Sequence, residues 1–167
     1  PRFADEIGGL VSAFTADAPG LAVGLRRSYG DSNLNPEGRV IDMTGLDRMI
    51  SFDRETGLMR AEAGVSFSQA LQLLAPAGWF LPTTPGTRFV TMGGAVANDV
   101  HGKNHHAAGT FGASVTRLKL WRTDGSAHEI GPGDPLFHAT VGGLGLTGVI
   151  EWVEFRAVRI PSTDIEG

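Results

Sequence analysis

The chain has 167 residues, 41% of them hydrophobic and 19% charged, with a net charge of -4 and no cysteine. That length supports one core, divided at most into two lobes, and the composition excludes a disordered chain. The acidic balance lacks a basic run to track nucleic-acid phosphates, no apolar stretch approaches the roughly 18 residues that span a bilayer, and the absence of cysteine removes disulfides and thiolate metal sites.

The 24 glycines are about twice average usage, and they gather at 86–112 and 142–148 without a fixed period. Such clustering argues against a linker or collagen-like repeat and for places where backbone approaches a partner. The chain opens on Pro1, closes on Gly167 and has no initiator methionine, so a segment of a longer polypeptide is expected.

Phe3, Ile7, Leu10, Val11 and Phe14 share one face of a helix and predict helix one. LAVGL at 21–25 reads as a buried strand that feeds RRSYGDSNLNPEG, a loop of turn formers, and RVIDM at 39–43 reads as a second strand. MISFD and LMRAEAG flank RETG as a hairpin. Ser66 and Gln69 form a capping box before Phe67, Ala70, Leu71 and Leu74, with Gly78 as the stop. WFLP predicts a short strand, and the long glycine-rich tract from Pro85 to Gly112 follows. SVTRLKLWR and SAHEIG enclose Thr123-Asp124-Gly125, a hairpin signal; PLFHATVGG suggests a short helix and VIEWVEFRAVRI one long final strand. Hairpins mixed with strand-helix-strand order predict an α+β domain in two lobes, about 1–85 and 86–160.

Three constellations could carry chemistry. HGKNHHAAG at 101–109 concentrates three of the five histidines, but no glutamate lies between His101 and His105 and Asp99 is the nearest carboxylate, so no metal site is expected. GGLGLTG at 142–148 fits the spacing G-x-G-x-x-G, yet a dinucleotide fold needs that motif between a strand and a helix, and here a strand-like run follows it. The third candidate is the set RRSYGD, PGTRFVTMGGAVANDVHGKNHHAAGTFG and GGLGLTGVI taken together. A loop of small residues after a strand exposes successive N–H groups as an anion nest, and Gly93 and Gly94 would let a flat ring or a diphosphate approach backbone. The bland alternative is that these glycines only serve turns.

In this order and spacing the three segments resemble the FAD-binding (PCMH-type) domain of the vanillyl-alcohol oxidase family of flavoproteins, over about Gly20 to Ile160. The resemblance implies FAD as cofactor. It implies that Gly24, Arg27, Ser28, Tyr29, Gly30 and Asp31 hold the pyrophosphate, and that Gly86, Thr87, Thr91, Met92, Gly93 and Gly94 line diphosphate and isoalloxazine. Asn98, Val100 and His101 would continue that wall, with Ile150 in backbone contact on the adenine side. Tyr29, His101 and Lys103 would face the substrate. A flavin taking hydride at N5 gathers negative charge near N1 and C2=O, which suits His101 and Lys103; a solvated loop cation and a loop-ordering imidazole are their bland readings. Relatives that tether FAD do so through a histidine of the first loop, but RRSYGD has neither His nor Cys, so non-covalent FAD is expected.

The same resemblance implies oxidation of a secondary alcohol of a sugar or lipid-linked sugar, the 2′-hydroxyl of a polyprenylphosphoryl ribose, in cell-wall arabinan synthesis with a separate reductase as partner. A sugar or alditol oxidase acting on another alcohol, or a non-catalytic flavin-binding module, remain the alternatives. The substrate domain is expected beyond residue 167, the location in the cytoplasm or near the cell envelope, and the fragment alone without turnover.

Overall fold

The computed structural model describes residues 1–163. A six-residue helix α1 (Glu6–Val11) precedes β1 (Gly20–Val23), which runs parallel to β2 (Arg39–Asp42) in a two-stranded sheet. The central layer is a five-stranded antiparallel sheet. Its strands are β3 (Met49–Phe52), β4 (Leu58–Glu62), β6 (Val115–Trp121), β7 (Ala127–Ile130) and β8 (Val149–Arg156), in the order β3-β4-β8-β6-β7. Helix α2 (Phe67–Leu74) leads through a 3-10 turn to β5 (Trp79–Phe80), which pairs with β9 (Val158–Arg159). Helices α3 (Met92–Ala97), α4 (His105–Ala108) and α5 (Pro135–Thr140) complete the mixed α+β fold.

Two apolar clusters hold these layers together. The larger packs α2, α3 and α5 on the sheet around Phe67, Phe111 and Phe155, whose rings stack tilted at 5.0 and 5.3 Å. The smaller joins Ile7 and Val11 of α1 to Ile41, Met43, Leu46 and Val149. The five-stranded sheet takes β3 and β4 from before residue 85 and the other three strands from after it.

Several expected elements differ from what forms. Helix one is confined to Glu6–Val11: Phe3 lies outside it and is exposed under the Arg48 guanidinium, and Leu10 faces outward. Gly8 and Gly9, each about 1 kcal/mol poorer than Ala in a helix, limit its length. The final strand is divided at Ala157: its N–H still bonds Gly57 O in the register of the β4–β8 pairing, but β4 begins at Leu58, and Val158–Arg159 pair with β5 instead. The tract 85–112, to which the sequence assigns no element, contains both α3 and α4.

Helix α3 exists because its ends are satisfied from outside. Thr91 is the N-cap, accepting the Gly94 N–H at 3.2 Å, and the Met92 and Gly93 N–H groups donate to Val65 O and Ala63 O, both at 2.8 Å. A Cβ at Gly93 would stand 2.9 Å from Ala63 Cβ, so glycine is what lets the helix lie against the chain leaving β4. Gly24 solves a similar problem above it. A Cβ there would meet Thr91 Oγ1 at 2.2 Å, so the chain leaving β1 crosses directly over the cap.

Ion pairs tie the strands laterally: Arg60 to Glu154 at 2.7 Å, Lys119 to Glu151 at 2.9 Å and Arg117 to Glu129 at 3.5 Å. Burial pushes the Glu154 carboxyl up. Hydrogen bonds from Arg60 and Thr116, with the Arg60 and Arg117 charges, outweigh burial and hold it below its ordinary value.

Two outcomes follow from this packing. Because the folded Glu154 pKa is depressed, its stabilisation is present above the unfolded glutamate pKa of about 4.3 and is lost as pH falls through the folded value. Glu154→Gln therefore lowers stability at neutral pH by about 1–3 kcal/mol, and denaturant melts of variant and parent converge in acid. Thr91→Ala costs about 1 kcal/mol through the lost cap. Gly24→Val displaces the same hydroxyl, so adding T91A to G24V costs less than it does alone, a non-additivity that a double-mutant cycle measures.

Candidate cofactor site

Where β1 ends, the chain enters the loop 24–33, and residues of this loop and of α3 line a cavity of about 610 Å³. Val23, Met43 and Ala63 supply apolar floor beside Gly93 and Gly94, while Pro85, Gly86 and Thr87 form one flank. Thr140, Leu144, Gly145, Gly148 and Ile150 close the other. Small residues dominate the wall, so the ligand it suits meets backbone and methyl groups along most of its length.

The hydrogen-bond inventory separates two kinds of wall. Every N–H in the first turn of α3 is already committed: Met92 and Gly93 to the chain after β4, Gly94 to the Thr91 hydroxyl and Ala95 to Thr91 O. This helix has no donors left for an anion. Among the described residues, by contrast, no backbone N–H from Gly24 to Asn33 donates to a protein acceptor. That loop leaves a row of open donors, and Gly24–Tyr29, Ser32 and Asn33 of it line the cavity. Its one side-chain link across the gap is long, Ser28 Oγ to Asn98 Oδ1 at 3.5 Å.

Charge is distributed in the same sense. Of the described residues lining the cavity, Arg26 and Arg27 carry positive charge and none is Asp or Glu. The carboxylate of Asp42, the last residue of β2, is held below its usual range first by the Thr44 hydroxyl and N–H, and also by the Arg26 charge. Backbone strain gathers at the site too: Arg26, Leu144 and Asp99 have φ of 55, 53 and 42°, in the left-handed region that residues with a Cβ avoid. Asp99 supports its own turn by accepting the Gly112 N–H at 3.0 Å.

The structure brings most of the expected site residues together. Gly24, Arg27, Ser28, Tyr29, Gly86, Thr87, Thr91, Gly93, Gly94, Asn98, Val100, His101 and Ile150 all line the cavity. Gly30, Asp31, Met92 and Lys103 do not: Met92 is fully buried in the larger core, and Lys103 is exposed on the loop beyond His101. Tyr29 lines the mouth yet is 99% exposed. Sequence reasoning missed Arg26, Thr140, Leu144, Gly145 and Gly148 as named site residues, although RRSYGD and GGLGLTG contain four of the five.

HGKNHHAAG is built around Asn104 and not around its imidazoles. Asn104 donates to Pro82 O at 3.0 Å and accepts from the Thr83 hydroxyl at 3.0 Å, while a Cβ at Gly102 would lie 2.4 Å from Thr84 O. His105 Nδ1 bonds Gly102 O, and its ring meets those of His101 and His106 edge-on at 5.6 and 5.9 Å. Among the described residues no three His, Asp or Glu side chains are grouped to hold a metal ion.

A carboxylate-free cavity of about 610 Å³ beside a row of open amides and two arginines fits a dinucleotide carrying a diphosphate and a flat ring. Comparison with known proteins agrees. Residues 1–131 match the family described as FAD binding domain. The chain is 49% identical over 133 residues to decaprenylphosphoryl-beta-D-ribose oxidase of Mycolicibacterium smegmatis, covering 78% of this chain and 29% of that protein. It is 31% identical over 139 residues to L-gulono-1,4-lactone dehydrogenase of Mycobacterium tuberculosis, covering 83% and 32%. Over 121 residues it is 31% identical to the putative D-arabinono-1,4-lactone oxidase of Neurospora crassa, covering 71% and 22%. The chain thus spans less than a third of the length of each of these relatives. On both the family match and the character of the cavity, the chain belongs to the FAD-binding domain family of flavoproteins, and FAD is its cofactor.

Proposed function

We propose that this domain holds FAD non-covalently and serves an oxidoreductase that oxidises a secondary alcohol of a sugar, the 2′-hydroxyl of a polyprenylphosphoryl ribose. The observation that carries the cofactor half is the open amide row of residues 24–33 facing a cavity without carboxylates. The substrate half is supported by the 49% identity to a protein named for decaprenylphosphoryl ribose, against 31% to the two named for aldonolactones.

FAD, when bound, supplies a two-electron acceptor for hydride leaving a carbinol carbon. The rest is the work of the chain. The loop amides with Arg27 bind the diphosphate, and the wall at Gly86, Gly93 and Gly94, which carries no side chains, admits a flat ring. Apolar Val23, Met43, Ala63 and Val100 exclude water from its buried side. Tyr29 and His101, at the exposed part of the cavity wall, stand on the substrate side, with Lys103 on the adjoining loop as a cation for the charge gathered on reduction. The first loop has no His or Cys to form a tether. Substrate contacts beyond these three come from parts of the parent protein outside this sequence, and a separate reductase returns the keto-sugar as the arabinose epimer. Among the described residues no helix is long and apolar enough to cross a membrane, and a lipid-linked substrate would bring the parent protein to the membrane surface.

Reconstitution tests both halves. The purified chain, incubated with FAD and desalted, retains flavin absorbance, and acid precipitation releases all of it as intact FAD; colourless protein refutes the cofactor assignment and flavin left in the pellet refutes the non-covalent one. In the parent protein, anaerobic decaprenylphosphoryl ribose bleaches the flavin whereas L-gulono-1,4-lactone does not. The reverse order makes the protein an aldonolactone oxidoreductase.

A further inference from the structure

We propose that Arg26 is a positioning residue for the diphosphate of the bound dinucleotide, and that it makes the site prefer FAD to flavins lacking a diphosphate. The inference rests on the FAD reading above and deepens it.

Arg26 occupies a position where its backbone is unfavourable. Its φ of 55° suits Gly, or Asn with its short polar side chain, far better than a long side chain with a full Cβ. If only the turn mattered, those residues would form it at lower cost, so the guanidinium has to contribute something the backbone does not. It contributes little to the protein itself: among the described residues it makes no hydrogen bond or ion pair. The carboxylate that feels its charge, Asp42, accepts from the Thr44 N–H at 2.9 Å and the Thr44 hydroxyl at 2.7 Å.

What Arg26 does line is the cavity, near the start of the loop whose amides from Gly24 to Asn33 have no protein acceptor. A left-handed residue within such a loop turns neighbouring N–H groups toward a common point, the geometry of an anion nest. Amide donors alone attract an anion but do not fix its place along the row. A planar fork of donors with permanent charge does, because it engages two oxygens at once. No lining carboxylate competes for it. The left-handed backbone and the unpartnered guanidinium thus have one explanation: the strain is retained because it holds an anion-binding fork beside the open amides.

The test titrates the chain with FAD and with riboflavin at low and high salt, for the parent, R26N and R26K. Asn tolerates the left-handed backbone and removes the charge. For R26N the melting temperature without flavin is unchanged or higher, FAD affinity at low salt falls about ten-fold or more, and riboflavin affinity is unaltered. The salt dependence of FAD binding flattens as one cation is lost, and R26K restores the salt dependence with part of the affinity. R26N that binds FAD as the parent does, or weakens FAD and riboflavin alike, overturns the proposal. Should riboflavin bind too weakly to titrate, an unflattened salt dependence overturns it as well. A parent chain that takes up neither flavin refutes the FAD reading itself, and the role of Arg26 falls with it.

Discussion

The seating of α3 against the chain leaving β4 is the constraint on which the site depends. Two backbone hydrogen bonds of 2.8 Å, from Met92 and Gly93 to Val65 and Ala63, fix the helix to the sheet at a distance only glycine at 93 permits. Its other end is held as firmly: Gly142 N–H bonds Val96 O and Leu144 N–H bonds Ala97 O, which brings the turn 142–148 to the cavity. With its first-turn donors spent and two last-turn acceptors engaged, this short helix is a rigid wall and not an anion site. The donors a diphosphate requires are therefore left to the irregular loop opposite. On the proposed placement of the diphosphate, that division replaces the helix N-terminus that a G-x-G-x-x-G fold would use.

How far this was readable in the sequence depended on whether a signal was local. The Ser66–Gln69 capping box forms as its residues predict, and Asp124-Gly125 turns the hairpin between β6 and β7. α3 was hidden because MGGAVA contains two poor helix formers; the readable signal was Thr91, whose hydroxyl reaches Gly94. The parallel pairing of β1 with β2 had no local sign at all. Parallel neighbours usually require a helical crossover, and residues 24–38 supply a loop in its place. The break at Ala157 was equally invisible, since it falls where the partner strand β4 gives way to its turn at Gly57 and where β5, nearly eighty residues earlier, takes over the pairing.

The site was legible as a set of segments and less so as a set of side chains. RRSYGD and the 85–112 tract do face each other, because glycine clusters mark close backbone approaches whatever their purpose. Which side chains reach the cavity is set by packing in three dimensions. Met92 adjoins Gly93 in sequence, yet one helix position turns it into the core. Arg26 and Arg27 are alike in sequence, and only φ distinguishes the one that bears the strained turn. The histidines drew attention by their number, whereas Asn104 and Gly102 do the structural work of that loop.

Electrostatics links the two ends of the molecule. The chain is acidic overall, which would by itself repel a diphosphate. Its sheet carboxylates, however, are spent on neighbours: Glu62 on Arg48, Glu154 on Arg60, Glu151 on Lys119 and Glu129 on Arg117. These pairs add lateral cohesion, and each also neutralises a negative charge within a few ångströms of its source. What the cavity then sees is local, namely the open amides and two arginines with no lining acid to cancel them. Over a Debye length of about 8 Å at physiological salt, that local arrangement outweighs the net charge of the whole chain. Pairing in the sheet and the absence of acid from the cavity wall are thus two parts of one arrangement that allows an acidic domain to bind an anionic cofactor.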